Sequence, residues 1–153
     1  MYRLYYQQKI PLSLEKSWEF FSSPLNLKIL TPEYLSFEMR DPENCKMYAG
    51  QIISYTIRPF RFFPLEWVTE IAHVDEPHYF IDEQRFGPYT FWHHEHRFKA
   101  IPNGVDMVHY KMPFWWLGKA LHALKIKKDL EKIFSYRSEK LKQMFGPYKN
   151  GGQ

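Results

Sequence analysis

The sequence predicts an α+β fold in which a curved seven-stranded antiparallel sheet wraps around a long C-terminal helix, with two short helices after the first strand. Three observations support this fold class. The chain has 153 residues, the length of one domain. Apolar and polar residues alternate with a period of two between Ser36 and Met112, as in strands. After Pro113 the apolar residues recur with the period of a helix.

The N-terminal segment predicts one strand and two short helices. Residues 2–10 alternate in polarity, as expected of a half-buried strand. Ser13 is a typical N-cap, and the apolar residues that follow it have amphipathic helical spacing. A second helix is expected to begin at Ser23-Pro24, because proline suits the first helical position. It should end before Thr31-Pro32, since the residue preceding a proline is pushed out of helical space.

Six further strands follow, separated by segments rich in Gly, Pro, Asn and Asp. The strand over 89–100 would be about 40 Å long if it were straight, comparable to the diameter of the domain. The sheet is therefore expected to bend. The predicted strands cover 36–40, 51–58, 65–74, 79–85, 89–100 and 105–112.

The C-terminal helical region carries two apolar stripes that point in different directions. One stripe lies between Leu117 and Leu124, and the other lies between Leu130 and Phe145. A straight helix cannot easily bury both, so we expect a break or kink near Lys125–Asp129, with Asp129 capping the longer C-terminal helix. Residues 1–148 are predicted to form a single domain, and residues 149–153 a disordered tail.

Composition narrows the class of protein. Aromatic residues make up 19% of the chain, which excludes a disordered protein. Cys45 is the only cysteine, so no internal disulfide can form and a reducing, cytoplasmic location is expected. The sequence has no targeting segment and no apolar run long enough to span a membrane. It also has no phosphate-binding loop, nucleophile elbow or zinc-finger spacing, and no cofactor is predicted.

The basic residues are concentrated near the C-terminus. Residues 114–149 hold nine Lys/Arg and three Asp/Glu, a balance of +6 against +4 for the whole chain. Two interpretations remain open, a solvated helix face and transient contact with an anionic membrane surface. No nucleic-acid motif accompanies the charge, so a nucleic-acid partner is not predicted. The lysines concerned are Lys125, Lys127, Lys128, Lys132, Lys140 and Lys142.

The inward face of each strand is the half of the alternation that lacks charge. By this test Trp92, His94, His96 and Phe98 face inward, as do Tyr55 and Trp67. Strand 79–85 is ambiguous, and we assign Phe80, Asp82 and Gln84 to its inward face. Tryptophan and histidine need partners for their N–H groups, which makes them unusual in a dry core. This surface predicts a small-molecule pocket, the alternative being a core packed tightly on the C-terminal helix.

Four segments, together with the order of elements, carry a resemblance to a known family: Ser22-Ser23-Pro24-Leu25-Asn26-Leu27, Phe80-Ile81-Asp82-Glu83-Gln84, Gly87-Pro88-Tyr89 with Trp92, His94, His96 and Phe98, and Ile133-Phe134-Ser135-Tyr136-Arg137. The chain resembles START-like proteins and polyketide cyclases, with the helix-grip fold, and above all the bacterial ligand-binding SRPBCC group. This resemblance implies a hydrophobic cavity between the sheet and the C-terminal helix. Members of the superfamily bind lipids, polyketides, sterols, quinones and hormones, and only some are enzymes.

The hairpin Ile101–Met107 is shorter than in relatives, which leaves two registers open for the last strand. A two-residue turn at Asn103-Gly104 would pair Phe98 with His109 and direct Met107 and His109 inward. A bulged turn would instead direct Asp106, Val108 and Tyr110 inward. The predicted ligand-binding residues are Tyr55, Trp67, Gln84, Trp92, His94, His96, Phe98 and Tyr110.

The predicted site residues are compatible with three functions. The first is binding of an apolar or aromatic small molecule without obligatory catalysis. The second is a cyclase or dehydrase in which His94 or His96 is the general acid or base. The third is a protein–protein adaptor with a filled core. The two imidazoles lie about 7 Å apart along the strand, close enough to share a metal ion if a third ligand converges. No third ligand is evident, although His109 or Asp106 would supply one in the right register, so a metal site is not predicted. Asp82 and Glu83 are adjacent, so their side chains point to opposite sides of the strand and do not form a paired-carboxylate site.

Overall fold

The computed structural model shows an α+β chain with a curled, seven-stranded antiparallel sheet and a C-terminal helix. The structure describes residues 4–40, 46–60, 63–87, 91–102, 104–113 and 120–149. Within these ranges it describes the backbone but not the side chains of residues 4, 59, 60, 63, 106, 108–113 and 120–127. The elements are β1 (Leu4–Ile10), α1 (Leu14–Phe21), α2 (Pro24–Ile29), a 3₁₀ turn (Glu33–Leu35), β2 (Glu38–Met39), β3 (Ile52–Phe60), β4 (Phe63–Asp75), β5 (Tyr79–Phe86), β6 (Trp92–Ile101), β7 (Gly104–Pro113) and α3 (Ala120–Phe145).

The strands form a meander that is closed at one end by the first strand. Their order is β1-β7-β6-β5-β4-β3-β2, and every neighbouring pair is antiparallel. Because β1 pairs with β7, the N-terminus completes the sheet beside the strand that precedes α3. The predicted architecture, an α+β chain with a curved seven-stranded antiparallel sheet and a C-terminal helix, is therefore confirmed.

The two short helices begin and end as the sequence predicts. The Ser13 side chain accepts a hydrogen bond from the Lys16 amide, which caps α1. Pro24 is the first residue of α2, and α2 ends at Ile29, before the Thr31-Pro32 pair. The α1 helix then packs on the sheet through Trp18, whose ring meets the edges of Phe80 and Phe98 at 5.9 and 6.0 Å.

The pairing along β4 is irregular at two points, which bends the sheet. The register between β4 and β5 shifts between Val68 and Thr69 and again between Ile71 and His73. Such irregularities bend the strand and increase its local twist. The sheet therefore becomes concave toward α3, and alternate residues of β3, β4 and β6 face this concave side.

The C-terminal helix has no break at Lys125–Asp129, so this part of the prediction is wrong. The α3 helix runs without interruption from Ala120 to Phe145, so Asp129 lies inside it and caps nothing. This stretch contains neither proline nor glycine, so its sequence has no residue that disrupts the helical backbone hydrogen bonds. Leu130, Phe134 and Leu141 of the second stripe are buried. The side chains of the first stripe lie outside the described residues.

The register of the last hairpin differs from the one expected for an Asn103-Gly104 turn. Phe98 pairs with Met107 rather than with His109, and Ile101 pairs with Gly104. A shift of two residues preserves the face of every side chain, so Met107 is still buried on the inside, as the two-residue turn predicted. Gly104 is required here, because a Cβ at this position would lie 2.1 Å from the Ile10 carbonyl oxygen.

The helix and the sheet meet mainly at β1. The Phe134 ring stacks on Tyr6 with 4.2 Å between ring centroids, and the Gln8 side-chain amide donates to the Ser138 carbonyl over 3.2 Å. These contacts hold α3 against one end of the sheet. Among the described residues, none of the helices combines the length and the apolar character of a membrane span.

Candidate functional site

A cavity of about 790 Å³ lies between the concave face of the sheet, the α2 region and α3. This volume falls in the range of small-molecule sites. The sheet contributes residues from β3, β4, β5 and β6, while α3 contributes Ile133, Phe134 and Arg137. The space between sheet and helix is therefore not filled by the described side chains.

Aromatic rings form one wall of this cavity. Tyr55 of β3 stacks on Trp67 of β4 with 5.7 Å between centroids, and Trp67 meets the edge of Trp92 at 5.1 Å. Tyr55 and Trp67 are directly paired across β3 and β4, so alternation brings both rings to the concave face. Phe37 extends the wall beyond Tyr55 at 4.8 Å. The wall offers a broad apolar surface with few hydrogen-bonding groups.

A buried cluster of polar groups interrupts this apolar lining. The Asp82 carboxylate receives three contacts from β6. Its Oδ2 lies 2.9 Å from His94 Nδ1 and 2.7 Å from His96 Nε2. The Trp92 Nε1–H donates to Oδ1 over 3.3 Å. An ionised carboxylate can only accept hydrogen bonds, so both ring nitrogens carry protons in this arrangement.

Strand geometry explains why these four side chains meet. Trp92, His94 and His96 are separated by two residues each, so they share one face of β6. Asp82 is the direct cross-strand partner of His94 in the pairing of β5 with β6. The two imidazoles do not extend away from each other, because their ring centroids are only 3.8 Å apart. Phe80 stacks on His96 at 4.0 Å and supports it from the side of α1.

Opposing effects act on the charge of Asp82. Burial alone would raise the pKa of Asp82, but attraction to His94 and hydrogen bonds from both imidazoles outweigh burial and hold this pKa well below its usual value. Asp82 is therefore a carboxylate inside the protein. Arg137 of α3 also interacts with this charge: burial lowers the pKa of Arg137, while Asp82 and Tyr55 act to raise it. The Arg137 Nε–H donates to the Leu30 carbonyl over 3.2 Å.

The fold has many relatives among solved structures. The chain is similar to protein CV1439 from Chromobacterium violaceum, with a TM-score of 0.73 and 10% identity over 95% of this chain and 98% of that one. It is similar to protein Ms6760 from Mycobacterium smegmatis, with a TM-score of 0.69 and 16% identity over 93% and 89%. It is also similar to TTHA0849 from Thermus thermophilus, with a TM-score of 0.64 and 15% identity over 95% and 94%.

Neither the protein-family models nor the curated proteins give a match to this chain. The structural similarities lie below the identity at which function can be inferred, so they bear on the fold alone. What the site does must be argued from its own residues.

The structure brings five of the eight predicted ligand-binding residues together around the cavity: Tyr55, Trp67, Trp92, His94 and His96. Phe98 does not line it. It is buried near α1, with its ring 5.5 Å from Phe21. Gln84 does not line it either, because its side chain lies against the backbone of Gly87 at the end of β5. The Tyr110 side chain lies outside the described residues.

Asp82 and Arg137 are among the polar residues that line the cavity but were not among the predicted site residues. Asp82 was assigned to the inward face, but its contact with His94 depends on the cross-strand register, which polarity alternation does not define. Arg137 belongs to a helix in which charged residues are frequent, so its sequence environment gives no signal. The position of Asp82, a carboxylate in the inward half of a strand, was the sequence feature that pointed to a buried polar cluster.

The cluster has two chemical capacities. With Nδ1 of His94 bonded to Asp82, a contact between His94 and a ligand would be made through Nε2, where the ring can exchange a proton or bond an oxygen. Asp82, His94 and His96 also bring three potential metal-ligating atoms within 4.8 Å of one another. Among the described residues, the third candidate ligand atom belongs to Asp82. The side chains of His109 and Asp106 lie outside the described residues.

Proposed function

We propose that this protein binds an apolar or aromatic small molecule in the cavity between sheet and α3, without obligatory catalysis. The observation that carries this proposal is a cavity of about 790 Å³ with an aromatic wall and one buried polar cluster. Mostly apolar walls with a few converging polar groups are the usual composition of a small-molecule site. A tightly packed core would leave no such volume.

The polar groups favour a ligand with an oxygen-bearing end. His94, Asp82 and Arg137 line the cavity, as does Tyr55, whose hydroxyl lies 3.3 Å from the Thr69 hydroxyl. These groups can orient a carbonyl, hydroxyl or carboxylate, while Trp67 and Trp92 cover the apolar body. A lipid, a polyketide or a quinone-like molecule has this combination of parts.

The same proposal assigns the chain to the START-like SRPBCC superfamily and its helix-grip fold. The order of elements and the similarity to solved structures support this assignment at the level of fold. The single cysteine supports a cytoplasmic location. Contact of the basic α3 with an anionic membrane surface, through exposed residues such as Lys128 and Lys132, would serve the uptake or release of the ligand.

Identification of co-purifying molecules tests the proposal without assuming a ligand. Native mass spectrometry of the full chain, followed by organic extraction, should detect one small molecule per chain. The environment-sensitive dye 1-anilinonaphthalene-8-sulfonate should bind the extracted protein with enhanced fluorescence. Trp92→Ala and His94→Ala should weaken dye binding at least about tenfold, because each removes a wall or an anchor of the cavity.

The outward-facing neighbours provide matched controls on the same strand segment. Phe91→Ala and His93→Ala remove a similar ring from the opposite face, where Phe91 is exposed. They should leave dye binding unchanged. Equal loss in inward and outward variants, with all four proteins folded by circular dichroism, would contradict the proposed site.

An enzyme of the cyclase or dehydrase type is the second candidate function. The contact of 2.9 Å between Asp82 and His94 Nδ1 favours it, because a carboxylate in this position orients the ring for proton transfer through Nε2. The extracted ligand should then be converted on prolonged incubation with the protein, and His94→Gln should abolish the conversion. Recovery of the ligand unchanged would leave binding as the function.

A protein–protein adaptor has less support. That alternative requires an interior filled by side chains, and the cavity between sheet and α3 argues against it.

A further inference from the structure

We propose that Asp82, His94 and His96 form a binding site for a single first-row divalent transition-metal ion such as Zn²⁺, with an open coordination position facing the cavity. This site goes beyond the proposed function and does not depend on it. Two adjacent strands supply the three ligands, and all three residues line the cavity. A rigid sheet is a suitable support, because it fixes ligand positions better than a loop does.

The spacing of the three ligand atoms fits a metal ion. Nδ1 of His94 and Nε2 of His96 lie 2.9 and 2.7 Å from Asp82 Oδ2, and the ligand atoms all lie within 4.8 Å of one another. In a tetrahedral site with bonds of about 2.0–2.1 Å, neighbouring ligand atoms are about 3.3 Å apart. Small side-chain rotations therefore suffice, and the backbone pairing of β5 with β6 can stay as it is.

The donor set selects the class of metal. Two imidazoles and one carboxylate suit Zn²⁺ and its first-row neighbours, whereas Mg²⁺ and Ca²⁺ prefer oxygen ligands throughout. In the metal-free cluster two N–H protons point at one carboxylate oxygen. When the ion binds, each of these two ring nitrogens gives up its proton and donates its lone pair to the metal, and the Asp82 carboxylate becomes the third ligand. In a neutral ring the other ring nitrogen takes up a proton in exchange, and in a doubly protonated ring the displaced proton leaves to solvent, so both imidazoles are neutral in the metal-bound state.

The neighbouring residues hold these ligands in place. The Trp92 Nε1–H donates to Asp82 Oδ1, the oxygen that the imidazoles do not contact, and so fixes the plane of the carboxylate. Phe80 stacks on His96 at 4.0 Å, and the edge of Phe134 faces His94 at 6.4 Å. Supporting contacts of this kind orient ligands and raise metal affinity by about 10–100-fold.

The charge of Arg137 indicates what would occupy the open position. A divalent ion, the Asp82 carboxylate and the Arg137 guanidinium together carry a charge of +2, with both imidazoles neutral. An anionic oxygen at the fourth position would reduce this excess. The site therefore favours hydroxide, or a carboxylate or enolate oxygen of a molecule in the cavity.

Cobalt titration of the full-length, tag-free chain tests the site directly. The protein is treated with EDTA, dialysed and titrated with Co²⁺, which reports its coordination by visible absorption. We expect one ion per chain, an absorption spectrum typical of four- or five-coordinate nitrogen and oxygen ligation, and displacement by one equivalent of Zn²⁺. Asp82→Asn, His94→Gln and His96→Gln should each weaken Co²⁺ binding at least about 100-fold.

Variants of the outer face serve as controls. His93→Gln and Glu83→Gln alter the neighbouring acid–imidazole pair, which points away from the cavity, and should leave Co²⁺ affinity unchanged. Trp92→Phe should weaken it about tenfold. Equal affinity in the wild-type protein and the three ligand variants would overturn the proposal, as would an octahedral spectrum in the wild-type protein.

A measurement on the wild-type chain avoids the question of whether the variants fold. X-ray absorption of the zinc-loaded protein should show two imidazole ligands and one or two additional oxygen ligands. Fewer than two imidazoles would overturn the proposal. Dye binding by the EDTA-treated protein tests the cavity separately, so failure of the metal site and failure of the proposed function give different results.

Discussion

The inner and outer faces of the β5–β6 hairpin carry the same acid–imidazole pair in two environments. On the inner face Asp82 contacts His94 at 2.9 Å, with side chains 15% and 5% exposed. On the outer face their sequence neighbours Glu83 and His93 contact each other at 2.8 Å, with side chains 25% and 24% exposed. Two residues of similar chemistry thus acquire different roles because one step along a strand reverses the side of the sheet.

The partners of the two carboxylates differ as well. Asp82 receives hydrogen bonds from Trp92, His94 and His96 with little contact with water. Glu83 shares its charge with Arg85 at 3.1 Å, close to solvent. Solvent-exposed ion pairs contribute little to stability, whereas removing one partner of a buried pair leaves the other without compensation. Substitutions on the two faces should therefore have unequal effects.

The largest expected difference is between Asp82→Asn and Glu83→Gln. Asp82→Asn should lower the free energy of unfolding by about 3 kcal/mol, because it removes the charge that the buried imidazoles compensate. Glu83→Gln should lower it by less than about 1 kcal/mol. Urea denaturation at pH 7 with EDTA present measures both values. Equal losses would mean that the cluster is more hydrated than its burial indicates.

This contrast also shows how far the sequence could predict the site. Polarity alternation alone assigned Trp92, His94 and His96 to the concave face, because a half-buried strand separates its polar and apolar residues. The same rule left strand 79–85 ambiguous, and Asp82 was placed on its inner face by choice between two sets; in the structure Asp82 lines the cavity. Capping and proline signals gave the two short helices, since these depend on a few neighbouring residues.

Other features depend on distant parts of the chain. The Asp82–His94 contact depends on the register of β5 against β6, and that register is a property of the whole sheet. Gln84 pairs with Thr69 beside an irregularity of the β4–β5 register and does not line the cavity, and Phe98 packs against Trp18 and Phe21 of α1 instead of lining it. A break or kink was expected from two apolar stripes, but α3 is continuous from Ala120 to Phe145.

The pH dependence of the inner pair provides a second test. The pKa of Asp82 is held well below its usual value in the folded chain, so the unfolded chain takes up this proton first as pH falls. The stabilisation from Asp82 is therefore complete above about pH 5 and is lost as pH falls below about 4, through the folded pKa. The stability difference between wild type and Asp82→Asn should shrink there by up to about 1.4 kcal/mol per pH unit.

Urea denaturation of both proteins between pH 6 and pH 3, with EDTA present, measures this difference. Glu83→Gln, on the outer face of the same hairpin, is the control variant. A wild-type advantage over Asp82→Asn that is already lost at pH 5 would contradict a low pKa for Asp82.

The smallest expected effect separates the hydrogen bond of Trp92 from the bulk of its ring. Trp92→Phe removes the Nε1–H that donates to Asp82 Oδ1 and should cost about 1–2 kcal/mol. Phe91→Leu, an apolar replacement on the outer face, should stay within about 0.5 kcal/mol. If the hydrogen bond matters, Trp92→Phe should cost about 1 kcal/mol less in an Asp82→Asn background, because the charged acceptor is already gone. Additive losses in this double-mutant cycle would mean that Trp92 contributes through packing on Trp67 and not through the cluster.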